Sequence, residues 1–337
     1  MAQVTNTFVS TSSNTNREEL SDVVDRITPE DTPIYSLIAK TSFKTTHPEW
    51  GTDELEEPED NAQLEGDDYD FDGITPPDRY GNHTQIFRRT GILSETQEKM
   101  DEAGNVLKVK KQVAKKGIAA RKDVEFSILS FNASVGGATR KSGSLASWIE
   151  SNASRGTNGA NGGFNSTTGL TVAPTNGDQR AFTKTLLDNV MQQGYQSGAN
   201  FRHCIVSPYV KSVFVTFMSD SNVASFRYAA SNGTNNSIVA NADVYEGPFG
   251  KVMIHPNRVM SEMASKTTGA VNATRNAFLI DTEYLEWGWF RKIARDKDVA
   301  KTGDARKFVV IGEGSLKPKN EKGLGVIADL YGLTAST

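Results

Sequence analysis

The chain has 337 residues, 37% of them hydrophobic, and a formal net charge of −4. That length suits one large domain or two ordinary ones with a sizeable core, and so small a summed charge demands neither nucleic acid nor membrane as an obligate partner. One cysteine, Cys204, excludes a disulfide framework and a cysteine zinc site.

The polar start, Met1 to Phe8, has no basic region followed by an apolar run, so no secretory signal is expected. No stretch approaches eighteen apolar residues, so no membrane span is expected either. Residues 1–16 read as a polar arm. Asn16 can cap a short helix, with Glu18 and Glu19 in its first turn and Leu20, Val23, Val24 and Ile27 on one stripe. Pro29 and Pro33 break it, and a second short apolar turn covers Ile34 to Ala39.

Residues 44–132 carry the most unusual charge pattern. Phe43 to Leu55 reads as extended, anchored by Trp50. From Glu49 to Asp78 there are thirteen carboxylates and no Lys or Arg. Uncompensated like charge of this kind resists compact packing, so a projecting loop or two-stranded ribbon is expected. Tyr80 to Leu93 returns as strand. Ser94 can cap a helix, Gly104-Asn105 marks a break, and Val106, Val109, Val113, Ala120, Val124 and Ile128 hold one helical face. A helix of about 27 residues there would be about 40 Å long, a structural spine. Between Val106 and Lys122 lie seven basic residues and no acid. Lys108, Lys111, Lys115, Lys116 and Lys122 are assigned to the face opposite the apolar one, either a solvated surface or a contact for acidic groups.

Glycine- and asparagine-rich turns fill residues 133–178 and mark a domain boundary, with Leu145 to Ile149 as a small packed island around Trp148. The second half reads as α/β. A helix capped by Asp178 carries Leu186, Leu187, Val190 and Met191 and stops before Gly198. His203 to Val206 is a strand, Pro208 to Met218 a helix, and Val244 to Ile254 a hairpin across Gly247-Pro248-Phe249-Gly250. Ala277 to Ile280, Tyr284 to Ile293, Phe308 to Ile311 and Leu324 to Leu330 complete the strands.

The residues offer no catalytic constellation. There is no Gly-x-Ser-x-Gly, His-Glu-x-x-His or phosphate loop. The four histidines (His47, His83, His203, His255) stand apart in sequence, so no metal site and no cofactor are expected. Gly312-Glu313-Gly314 is an isolated glycine pair. Cys204 reads as a buried strand residue. Asp68-Tyr69-Asp70-Phe71-Asp72-Gly73 matches the opening of a calcium loop, but Arg79 stands where the bidentate carboxylate belongs.

Several segments, in order and spacing, resemble tailed-phage major capsid proteins of the Hong Kong-97 fold, in the branch without a maturation-protease prosegment. They are Thr15 to Val24 and Thr28 to Ile34, His47-Pro48-Glu49-Trp50, and Leu64-Glu65-Gly66-Asp67-Asp68. Asn82 to Phe87, Asp123-Val124-Glu125-Phe126 and Tyr245 to Gly250 complete the set.

The resemblance implies an α+β fold with an N-terminal arm (1–43) and an extended loop with its flanking strands (44–93). A peripheral domain with a long spine helix (94–178), an axial domain (179–305) and C-terminal strands returning to the core (306–337) follow. It also implies a structural, non-enzymatic protein. Copies would assemble as hexamers and pentamers into an icosahedral virion head around double-stranded DNA, built in the host cytoplasm. A portal protein and separate scaffolding and decoration proteins would be partners. Ring contacts join one surface to a different one on the next copy. The candidates for such contacts are Trp50, Glu56, Glu57, Glu59 and Asp60 on the loop and Lys111, Lys115 and Lys116 on the helix. A nanocompartment shell of the same fold and an Asn/Gly-rich glycan-binding module are the competing readings.

Overall fold

The structure is a computed structural model. It describes residues 28, 30–56, 58–66, 68, 71, 73–74, 76–101, 107–217, 243–263, 270–301 and 303–334. The expected arm helix at Leu20 to Ile27, the break at Gly104-Asn105, and Glu57, Asp70 and Asp72 lie outside the described residues.

After a short helix α1 (Pro33–Leu37) the chain enters β1 (Ala39–Ser42) and then a two-stranded antiparallel ribbon, β2 (Glu49–Thr52) with β3 (Asp78–Gly81). Strand β4 (Gln85–Ser94) leads into α2 (Glu95–Lys99), whose first turn is capped by the Ser94 side chain on Gln97 N, as its spacing predicts. The spine helix α3 runs Val109–Leu129, 21 residues and about 31 Å, shorter than expected. Its start is fixed from outside: the Glu98 carboxylate accepts from Val109 N at 2.9 Å, while Lys108 Nζ donates to the carbonyls of Glu98 and Met100. A carboxylate at that end satisfies an orphan donor and the helix dipole together.

Next come α4 (Leu145–Trp148), β5 (Ala153–Ser154), β6 (Gly163–Asn165), β7 (Leu170–Val172) and β8 (Arg180–Ala181). Helix α5 (Lys184–Gln196) is capped by Thr183, not Asp178. The reason is tertiary. Arg180 and Ala181 pair with the C-terminal strand β16 (Leu330–Gly332), so the chain stays extended through Phe182, and Asp178 accepts instead from Asn158. Gly198 past the helix end has φ +85°, the expected left-handed stop. Strand β9 (His203–Val206), α6 (Pro208–Phe217), the hairpin β10 (Val244–Gly247) and β11 (Gly250–Pro256), α7 (Arg258–Met263) and β12 (Ala277–Ile280) follow. The last strands are β13 (Leu285–Arg295), β14 (Ala305–Pro318), β15 (Leu324–Ile327) and β16.

Two main sheets result. The first is four-stranded, β1-β13-β14-β4, and the second six-stranded, β10-β11-β9-β12-β15-β5. Strand β14 pairs with β4 over ten residues, from Ala305↔Ser94 to Gly314↔Gln85, far more than the apolar run Phe308 to Ile311 indicates. Helix α3 packs on this sheet, its Val124, Ile128 and Leu129 sharing one core with Phe87 and Trp287. Trp148, read as a separate island, belongs to this same core.

A second core lies under α5 and α6. The six-stranded sheet divides the two, because successive strand residues face opposite sides: Phe278 and Ile280 join the first core, Ala277 and Leu279 the second. At the end of α1, the buried Glu125 carboxylate accepts from Ile34 N (3.0 Å), Tyr35 N (2.8 Å) and Asn257 Nδ2 (2.6 Å). Burial outweighs these bonds and raises its pKa. Among the described residues no helix is long and apolar enough to cross a membrane.

Candidate assembly interface

The charged segment 44–93 divides into a root and a tip. The root is bound into the chain. Trp50 and Tyr80 face each other across the ribbon and both pack on Trp148, at ring-centroid distances of 5.7 and 6.2 Å. Trp148 in turn stacks on Phe164 at 5.4 Å. The Trp50 ring also lies 6.0 Å from Lys317 Nζ. Trp50, expected at a contact between copies, is thus engaged inside its own chain. Glu49 pairs with Arg79.

Between β3 and β4, the fully buried Asn82 donates to Leu316 O at 2.8 Å and accepts from Gly143 N at 2.9 Å. The Thr84 hydroxyl donates to Glu313, which also accepts from Arg140 (2.7 Å) and Arg291 (3.0 Å). Burial alone would push the Glu313 carboxyl up, but these donors prevail and hold it below the usual range. Its flanking glycines, which face the other side of the strand, leave room for bulky neighbours there: a Cβ at Gly312 would meet Ile293, and one at Gly314 would meet Trp287 and Trp289. The Gly-Glu-Gly pattern was the sequence signal for this site, and it reads as one only once a buried charge between bulky neighbours is known.

The tip is the opposite. Residues 53–77 hold no helix or strand among those described. Leu55, Leu64, Phe71 and Ile74 are 98%, 77%, 89% and 98% exposed, set among carboxylates. Glu56, Glu59 and Asp60 are exposed as well. Glu54 pairs with Lys322 at 2.5 Å, close to the root.

The basic helix is less uniform than its sequence. Lys111 and Lys115 are exposed. Lys116 is half-buried, one helical step round from Lys115. Lys108 is tied to α2, and Lys122 donates to Glu262 of α7 at 3.0 Å. A cavity of about 290 Å³ between α3 and α7 is lined by Arg89, Lys122, Asp123, Phe126, Val259 and Glu262, among others. Its charges are matched in pairs, Arg89 with Asp123 and Lys122 with Glu262, so it offers no net attraction to an ion.

The histidines, separate in sequence, come together in space. The ribbon brings His47 onto His83, stacked at 4.2 Å, and the neighbouring strands β9 and β11 set His203 Nδ1 2.9 Å from His255 Nε2. No third His, Cys, Asp or Glu joins either pair in a metal-binding group among the described residues. Cys204 is 3% exposed in the second core, and burial pushes its thiol up to about 12, which removes it as a nucleophile at neutral pH.

A sequence model of the family described as SU10 major capsid protein matches residues 3–331. The chain belongs to that family. This capsid protein is 30% identical over 124 residues to the major capsid protein of Escherichia phage Phieco32, a stretch that spans 36% of this chain and 35% of that protein.

Among solved structures it is similar to the asymmetric unit of the bacteriophage PhiM1 mature capsid. The TM-score is 0.59 at 10% identity, covering 98% of this chain and 96% of that one. A chain of Gordonia phage Cozz gives a TM-score of 0.57 at 13% identity, covering 95% and 93%. The capsid protein therefore has the α+β Hong Kong-97-type fold its segments resemble, and it is a structural component of a phage virion.

Proposed function

We propose that this capsid protein assembles as hexamers and pentamers into the icosahedral head of a tailed phage, closed around double-stranded DNA. The observation that carries this reading is the tip. Four large apolar side chains stand in water among carboxylates, and a large exposed apolar group marks a surface awaiting a partner. Glu56, Glu57, Glu59 and Asp60 are assigned to contacts between copies. Lys111 and Lys115, exposed on the spine helix, fit DNA phosphates non-specifically. The division into arm, loop, peripheral and axial parts is carried over with the family. Assembly in the host cytoplasm and a portal protein, with separate scaffolding and decoration proteins, belong to the same proposal.

Negative-stain microscopy of the chain expressed alone and with its neighbouring phage genes tests this. Uniform closed shells, or hexamers and pentamers, are expected. A stable monomer under every condition would overturn the reading.

A further inference from the structure

The ribbon enters the body where residues 46–48 run beside residues 82–84. Asn82 N donates to Pro48 O at 3.2 Å and Thr84 N to Thr46 O at 2.9 Å. His47 and His83 stack across this crossing, their centroids 4.2 Å apart and their planes within 16° of parallel. Both rings are wedged against glycines. A Cβ at Gly81 would come within 2.8 Å of His47 Nε2, and one at Gly136 within 3.0 Å of His83 Nε2. His47 Nε2 and His83 Nδ1 are buried and have no hydrogen-bond partner among the described residues.

The charges around the stack are unequal. Glu49 lies 3.8 Å from His47 Nδ1 and also pairs with Arg79. His83 instead feels the cation of Arg140, which itself pairs with Glu313. A neutral imidazole keeps one nitrogen bare, but a charged one carries N–H on both. A charged His83 would therefore bury an N–H that has no acceptor, close to a like charge. Burial first, then His47 and Arg140, hold its pKa below the ordinary histidine value. With the folded pKa depressed, the stability contributed here is intact above about 6.5 and is lost as pH falls from there through the folded value. Glu313 titrates lower, below about 4.3, so the two effects separate.

We propose that the His47–His83 stack is a proton-sensitive latch, which ties the inner end of the ribbon to the body while both rings are neutral and releases it when His83 is charged. Trp50 and Tyr80 stay seated on Trp148, because no group in that packing titrates near neutral pH. Release therefore changes the angle at which the ribbon leaves the body and does not detach it. The direction of the tip follows acidity, in a single chain as much as between copies.

Hydrogen exchange on the purified chain, corrected for the intrinsic effect of pH, tests this. Between about pH 7.5 and about pH 5.5 the amides of Asn82 and Thr84 should lose about tenfold in protection, while those of helix α5 keep theirs. His83→Gln should abolish that loss, and His83→Asn serves if the glutamine variant does not fold. Equal protection at both pH values, a loss shared with α5, or a loss that persists in the folded His83 variant overturns the latch. If neither variant folds, the parent titration decides by the same first two outcomes.

Discussion

Trp50 and Tyr80 sit on Trp148 at the root of the acidic segment, whereas Leu55 and Ile74, only a few residues farther along, are 98% exposed. The two regions share one stretch of chain and differ in how their polar groups are matched. At the root, Asn82 finds a carbonyl and an amide, and Glu313 two guanidinium groups and a hydroxyl. At the tip, like charges repel and no cation is within reach in sequence, so the apolar side chains cannot collapse together. One region is bound into its own chain, and the other stands in water.

The largest effect is expected at the root. Glu313→Ala leaves Arg140 and Arg291 facing a pocket without its counter-charge and should cost about 3 kcal/mol, read as a lowered midpoint in denaturant. A loss below about 1 kcal/mol would mean the root is not the stabilising half. The same residue sets a pH dependence. Its folded pKa is depressed, so the stability it contributes is present above the ordinary glutamate value of about 4.3 and is lost as pH falls from there through the folded value. Melting curves at descending pH should therefore fall more steeply for the parent chain than for Glu313→Gln. Glu125, shifted the other way, loses its contribution as pH rises instead and is common to both chains.

Trp50→Ala should cost about 2 to 3 kcal/mol, the lower end for a large aromatic because the ring is only half-buried. Its melting temperature should drop even in chains that have not assembled. The smallest effect on folding is expected at the tip. Glu56→Gln, Glu57→Gln, Glu59→Gln and Asp60→Asn combined should leave monomer stability within about 0.5 kcal/mol while reducing shell yield. Unchanged shell yield and unchanged shell stability would remove the tip from the contact.

Much of the fold was legible because it is written in local periodicity. The Ser94 cap, the α3 stripe, the glycine after α5 and the hairpin at Gly247 to Gly250 all follow from residues within a few positions of one another. What was illegible depends on tertiary partners, most of them far away in sequence. The length of β14 is set by its pairing with β4, and the late start of α5 by a bridge to β16. Lys108 and Lys122 looked like members of a solvated row until Met100 and Glu262 were seen to accept from them. The packing of Trp50 on Trp148 was hidden because nothing in its neighbourhood announces that partner. The exposure of Ile86 and Ile92 on β4 was hidden for the same reason, since it depends on which side of the sheet α3 covers.

The six-stranded sheet has a mechanical consequence. Strands β9, β12 and β15 send alternate side chains into two different cores. The cores therefore share a wall and do not meet at a seam. A seam between two surfaces yields by sliding, but a shared wall has no plane along which to slide without tearing the hydrogen-bond ladder of the strands themselves. A push on one core travels to the other along covalent backbone, and the subunit bears load as one stiff plate.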